Sequence, residues 1–239
     1  MQWKRREPSL VLRVLPDPER PKAFPLRAAM PPQTKAPPPA KKKQQQPIAE
    51  QPPLADSRAR THRFTREQYE QMIEAGVLTP EDRCELLEGQ IVDKMPQSSR
   101  HFTIISLVDA ALCAAYPESE YTVRVQGPLA VHDDSEPEPD VAVVQGRPRD
   151  YVDAHPTTAL LVVEVSDTSL RRDRTRKERI YARTGIAAYW VVNLDDESLE
   201  VYRDPNGDGY DRRETLRPPD ATLRPPQADA DVAVADLLP

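Results

Sequence analysis

Two apolar runs, Pro139-Asp140-Val141-Ala142-Val143-Val144 and Leu160-Leu161-Val162-Val163-Glu164-Val165, each carry one carboxylate. Both read as buried β-strands, with Asp140 and Glu164 at their edges. A carboxylate in such a run is costly unless something compensates it. Two of them on adjacent strands with converging ends can hold a divalent cation through hard oxygen ligands. Downstream, Asp173-Arg174-Thr175-Arg176-Lys177 opens a helical segment in which Lys177 follows Asp173 by one turn, on the same face. A compact ammonium suits orienting a water or meeting the charge of a phosphoryl transition state. Asp, Glu and Lys in this order are the parts of metal-dependent phosphodiester hydrolysis.

Each residue alone has a plainer explanation. Asp140 could cap its strand, Glu164 could sit in a buried ion pair, and Lys177 could join a surface network among Arg171, Arg172, Arg174, Arg176 and Arg179. Their joint occurrence favours the metal site. Glu136 and Glu138, between the prolines that stiffen entry to the first strand, are expected to be solvated.

The elements that must position these residues follow from pattern. Thr65 should cap a helix over Arg66 to Ala75 with Tyr69, Met72 and Ile73 on one face. Thr79-Pro80 should start a short helical turn. Glu85 to Val92 reads as two short strands around Gly89. Ile104, Ile105, Leu107, Val108, Ala111, Leu112 and Ala115 lie at helical spacing between His101 and Tyr116, and Pro117 ends that helix. Strands are expected at Tyr121–Gln126, Leu129–His132, Asp140–Val144, Ala159–Val165, Tyr189–Val192 and Glu200–Tyr202. A helix is expected from about Thr175 to Thr184, and short extended pieces at Ala221–Leu223 and Val232–Val234. This alternation is α/β, a mixed sheet covered by helices.

Composition divides the chain. Of 27 prolines in 239 residues, 13 fall in residues 1–60, which also hold 13 Lys/Arg against 5 Asp/Glu. The net charge of −6 therefore splits into +8 for this head and −14 for the remainder. A basic, Pro-rich, apolar-poor segment cannot offset its ordering entropy, so residues 1–58 are expected to be disordered and residues 59–239 to form the domain. Lys41-Lys42-Lys43 could touch nucleic acid but suits a solvated tail. Cys84 and Cys113 match no disulfide framework or zinc spacing and read as buried free thiols. No run reaches the roughly 20 apolar residues of a membrane span. The charged, Pro-broken N-terminus is unlike a secretory signal, and a cytoplasmic location is the default expectation.

Pro139-Asp140, Glu164-Val165-Ser166, Asp173 and Lys177 together resemble the PD-(D/E)xK nuclease superfamily, and more closely the Uma2 family of restriction endonuclease-like proteins. The similarity runs from about Phe64 to Tyr202, with the closing Val234-Ala235-Asp236-Leu237-Leu238-Pro239. It also includes Arg83-Cys84-Glu85-Leu86-Leu87-Glu88-Gly89, Ser99-Arg100-His101, Ser135 to Asp140 and Tyr181 to Ile186. The superfamily lysine usually stands two residues after the Glu. That position here is Ser166, and the Uma2 pattern takes its lysine from the next helix, which matches Lys177. Ala187-Ala188-Tyr189-Trp190-Val191-Val192-Asn193 departs from the Pro-Glu and final Asp common in the family.

The resemblance implies a restriction endonuclease-like fold with a mixed sheet flanked by helices. It implies Mg²⁺ or Mn²⁺ held by Asp140 and Glu164, with Glu85 completing the site directly or through water. Lys177 would be catalytic, and His101 and Asp173 secondary. The expected partner is DNA, with no membrane, and a homodimer is left open. Competing readings are an accessory nucleic-acid binder that keeps the fold, and a hydrolase of small phosphoesters.

Overall fold

The computed structural model describes residues 61–238, so the expected disordered head lies outside the described residues. Helix α1 (Arg66–Glu74) starts where expected, its Thr65 cap and Gln68 side chain satisfying each other's backbone N–H groups. Of its expected apolar face only Tyr69 is buried, and Ile73 is exposed. The Thr79-Pro80 segment is a turn closed by the Asp82 carboxylate, which accepts from both the backbone and hydroxyl of Thr79.

Strands β1 (Cys84–Leu87) and β2 (Gln90–Asp93) form a hairpin across Glu88-Gly89. Both turn residues have positive φ, +46° and +74°, the geometry of a two-residue hairpin whose twist matches its strands. Helix α2 (Ser99–Ala115), capped by Ser98, buries Ile104, Ile105, Val108, Leu112 and Ala115. Cys113 lies on its outer face and is exposed, contrary to expectation, whereas Cys84 is buried.

The main sheet has six strands in the order β3 (Tyr121–Val125), β4 (Val141–Gln145), β5 (Leu161–Ser166), β6 (Ala188–Asn193), β7 (Ser198–Pro205) and β8 (Tyr210–Leu216). Only β5 and β6 run parallel. A parallel pair needs a crossover. It is built from α3 (Leu170–Arg172), a π-helical turn over Asp173–Lys177, and α4 (Glu178–Arg183). The expected helix therefore starts earlier than Thr175 and carries an irregularity that no propensity signals.

Two corrections concern strands. Leu129–His132 makes only a single bridge, His132 to Ser135. Pro128 and Pro137 supply no N–H there, and the chain reverses at Asp133-Asp134 before a ladder can form. The strand β8, on the other hand, was not expected. Its sequence, Tyr-Asp-Arg-Arg-Glu-Thr-Leu, is half-buried only at its ends. It is a charged sheet edge held by the β7 ladder and by cross-strand pairs such as Arg203–Glu214 and Arg212–Asp204.

Period-two alternation sorts the sheet into two faces. Val141, Val143, Val163, Val165, Trp190 and Val192 face α2 and the C-terminal segment. That segment pairs β9 (Thr222–Leu223) with β10 (Val232–Ala233) and docks Val234 and Leu237 through a 3₁₀ turn. Ala142, Val144, Val162, Tyr189, Val191 and Tyr202 face α4 and the end of β1. Among the described residues no helix is long and apolar enough to cross a membrane.

Glu136 is buried, not solvated, because its backbone bridges Leu86 of β1 and brings it against the hairpin. Burial, reinforced by the nearby Glu70 carboxyl, pushes its pKa up to about 7 from an ordinary 4.5.

Two outcomes follow from this packing. Gly89→Val forces a β-branched residue into positive φ and brings its Cβ within 2.7 Å of Arg63 Cβ. It should lower unfolding free energy by on the order of 2 kcal/mol or more in denaturant titrations. Glu136 keeps its proton in the folded state where the unfolded chain has lost it, so its contribution to stability is present at acid pH and is lost as pH rises from 4.5 to about 7. Glu136→Gln should remove that slope and raise the melting temperature at pH 8 by roughly several degrees, with little change at pH 4.5. Parallel melting profiles for the two proteins across this range would contradict it.

Candidate active site

The β4–β5 register pairs Val141 with Val163, and one step further along the antiparallel pair Asp140 stands opposite Glu164. Parity puts both on the α4 face of the sheet. The crossover runs from the end of β5 over this face, so its inward side chains meet the two carboxylates. Asp173 and Lys177 are both buried in the π turn. The Glu178 N–H reaches back five residues to the Asp173 carbonyl, which also accepts from the Tyr189 hydroxyl at 3.1 Å. π turns are rare and occur mostly at functional sites.

Lys177 is the hub. Its Nζ lies 2.8 Å from Glu164 Oε1 and 3.2 Å from Glu85 Oε2, and the residue is 3% exposed. Burial alone would pull its pKa down, but the charges of Glu164, Glu85 and Asp173 outweigh it and hold the group protonated. The hairpin delivers Glu85, whose Oε2 also accepts the Glu138 N–H at 3.1 Å, while its Oε1 is buried without a partner. Glu138, expected to be solvated, is half-buried and pairs with Lys94 at 2.8 Å.

Each strand carboxylate is anchored through one oxygen. Asp140 Oδ2 accepts from the Val165 N–H at 2.8 Å and lies 3.3 Å from His101 Nε2, at the start of α2. Burial would raise its pKa, but His101, the Val165 N–H and Lys177 hold it below the usual range. Glu164 Oε1 accepts from Lys177 and, at 2.7 Å, from the Tyr181 hydroxyl. Its pKa is pushed up to about 8 by burial and by the charges of Asp140, Asp173 and Glu85, against the pull of Lys177. Asp140 Oδ1 and Glu164 Oε2 take no hydrogen bond from any described residue.

Asp173 is also 1% exposed and accepts from Ser166 and Ser169, each at 2.6 Å. Burial raises its pKa although these hydroxyls and Lys177 oppose the shift. Ser166, at the usual superfamily lysine position, thus secures the turn that brings Lys177 in. Glu85, Asp140, Glu164, Asp173, Lys177 and His101 all line one cleft of about 170 Å³, with Lys94, Glu138 and Arg172 at its rim.

Asp140, Glu164 and Glu85 do not close around one point. Among the described residues no three carboxylate, imidazole or thiol groups are close enough together to hold an ion. Lys177 stands between Glu85 and Glu164. What the cleft offers is two hard oxygens from two strands, a donor set that fits Mg²⁺ or Mn²⁺. Such ions keep several waters and use one or two carboxylates with substrate phosphates, not a full protein cage. Sequence reasoning missed Tyr181, although it follows Lys177 by four residues, the spacing that puts two side chains on one helix face. It had no signal for the Glu138 N–H.

The fold is similar to that of a crystal structure described as a "putative nuclease belonging to DUF820" from Anabaena variabilis ATCC 29413. The TM-score is 0.57 at 19% identity, covering 73% of this chain and 97% of that one. No curated protein matches the chain. A family model described as "Putative restriction endonuclease" matches residues 66–235, from α1 to the docked C-terminal turn. That span takes in the hairpin, both carboxylate strands and the π turn, and the chain belongs to the Uma2 family.

Proposed function

We propose that this protein is a divalent-metal-dependent endonuclease that hydrolyses DNA phosphodiester bonds. The observation that carries the reading is the buried Lys177 ammonium, which fixes Glu164 through one oxygen in a cleft where Asp140 and Glu164 each have an oxygen to spare. Family membership supports a nuclease, and the intact Asp, Glu and Lys set supports catalysis over mere binding.

Asp140 Oδ1 and Glu164 Oε2 would hold the cation. When bound, Mg²⁺ or Mn²⁺ supplies a water of lowered pKa and charge neutralisation at the phosphoryl oxygens. The chain's own groups do the rest. His101 and the Val165 N–H fix the rotation of Asp140, so its second oxygen is presented at a set angle. Lys177 and Tyr181 do the same for Glu164. An ammonium has three donors; one is given to Glu164 while Glu85 pairs with the charge at 3.2 Å, which leaves donor capacity for the attacking water or a phosphoryl oxygen. Glu85 acts through Lys177 as a positioning residue. Its carboxylate, 3.2 Å from the ammonium, helps keep it charged.

The direct test is nicking of supercoiled plasmid with Mg²⁺ or Mn²⁺ against EDTA. Cleavage should require the metal and be lost in Asp140→Asn and in Glu164→Gln, which preserve shape. Full activity in either variant would overturn the site. Lys177→Met should slow cleavage by on the order of 10² or more, the scale of losing one charge-stabilising donor. It also strands Glu85, and breaking a buried pair costs roughly 3–5 kcal/mol. Adding Glu85→Gln to Lys177→Met should restore much of the stability and none of the rate. Recovery of both would reduce Lys177 to a structural role. Arg176→Met, which loses contacts to Gln90 and Glu88 outside the cleft, should slow cleavage far less.

A further inference from the structure

Residues 170–183 carry six arginines, and four of them are neutralised locally. Arg174 pairs with the buried Glu200, whose other cation is Arg213. Arg176, Arg179 and Arg183 converge on Glu88 of the hairpin turn, and Arg183 also meets Asp208. Arg171 and Arg172 differ. Among the described residues neither has a carboxylate partner. Arg171 is exposed. Arg172 makes one long hydrogen bond, 3.4 Å, to the Asp93 carbonyl, and its Nε is buried with no partner.

These two arginines line a second groove of about 380 Å³ with Met95, Thr168, Ser169, Thr175 and Arg176. It adjoins the active cleft, for Met95, Thr168, Ser169 and Arg172 line both. A guanidinium left without a carboxylate, on a domain whose net charge is strongly negative, is a ready site for phosphate. Arginine presents a planar fork of donors that matches phosphate oxygens in pairs.

We propose that Arg171 and Arg172 form a shelf for the phosphodiester backbone that flanks the scissile phosphate. This deepens the proposed function and rests on it. Arg172, shared by cleft and groove, takes the neighbouring phosphate, and Arg171, further out, takes the next. The substrate is then a polynucleotide that extends beyond the cleft, not a small phosphoester. Both arginines are positioning residues for that strand. Phosphate contacts of this kind set where a strand lies without reading its bases.

The test uses the full chain carrying Glu164→Gln, which cannot cleave under the proposed mechanism, and a labelled oligonucleotide at several salt concentrations in Mg²⁺. Each phosphate contact contributes about 0.7–0.9 to the slope of log affinity against log salt. Arg171→Met/Arg172→Met should lower that slope by roughly 1–2, and Arg171→Met alone, at an exposed side chain whose loss leaves the fold intact, by about half as much. Arg212→Met, on the edge strand β8, is the control and should leave it unchanged. In the otherwise unmodified protein, Arg171→Met, whose side chain lines the groove but not the active cleft, should raise KM for a polynucleotide and leave hydrolysis of bis(p-nitrophenyl) phosphate unaltered. An unchanged slope, an equal fall with Arg212→Met, or equal loss on the polymer and the small diester would each overturn the shelf. Absence of hydrolysis of either substrate by the unaltered protein would overturn the proposed function, and the salt slopes would still decide the shelf.

Discussion

A charged ammonium buried to 3% exposure is the constraint around which the rest of this domain is arranged. Lys177 cannot be taken from water without nearby negative charge, because desolvating an unpaired ion costs several kcal/mol. The compensating carboxylates come from two elements distant in sequence, Glu85 on the β1–β2 hairpin and Glu164 on β5. The hairpin must therefore be fixed against the crossover. Glu88 does this at its tip, binding Arg179 through two hydrogen bonds of 2.7 and 2.6 Å and approaching Arg176 and Arg183. That guanidinium, with the others, holds the Glu88 carboxyl below its usual range despite partial burial.

Two buried carboxylates on the same face of the sheet show how differently the fold treats structure and site. Glu200 on β7 is 1% exposed and is answered by Arg174, Arg213 and the Tyr202 hydroxyl. These partners overcome its burial and keep its pKa low. Glu164 is buried, shares its ammonium partner with Glu85 and lies close to Asp140 and Asp173, so burial and these charges raise its pKa. The first group is satisfied by the protein alone. The second sits in an excess of negative charge that the chain does not neutralise, in a cleft lined also by Glu85, Asp140 and Asp173. Unequal compensation of this kind is a physical mark of a site, since a merely structural carboxylate gains nothing from being left short of partners.

Geometry converges on the same place from both sides of the sheet. Antiparallel pairing of β4 and β5 brings Asp140 and Glu164 opposite each other, and parity directs both to one face. The crossover demanded by the parallel β5–β6 pair lays Lys177 over them. The N-terminus of α2, from the opposite layer, reaches past the end of β4 to place His101 on Asp140. The departure from the family phrase before and within β6 does not touch the cleft. Its Asn193 side chain accepts the N–H groups of Asp195 and Asp196 and caps the turn into β7.

Much of this was written locally in the sequence. The apolar runs of β4, β5 and β6, the Thr65 cap, the Gly89 turn, the helical spacing of Ile104 to Ala115 and the docking C-terminal phrase each depend on neighbours a few residues away, and each became the expected element, whereas the Leu129–His132 run did not. Asp140 and Glu164 stood out in the sequence because charge in or beside a buried pattern contradicts the pattern, whereas Lys177 stood out only by its one-turn spacing from Asp173 and by the family resemblance. Only the tertiary structure could decide the rest. The edge strand β8 has no apolar pattern and exists because β7 offers it a ladder. The π turn depends on Ser166, Ser169 and Tyr189 meeting Asp173. The burial of Glu136 and the insertion of Lys177 between Glu85 and Glu164 arise from contacts between segments dozens of residues apart. Periodicity reports which face of an element is buried. What lies across from that face depends on how elements pack, and with it whether a carboxylate is solvated, paired with an ammonium or left with a free oxygen.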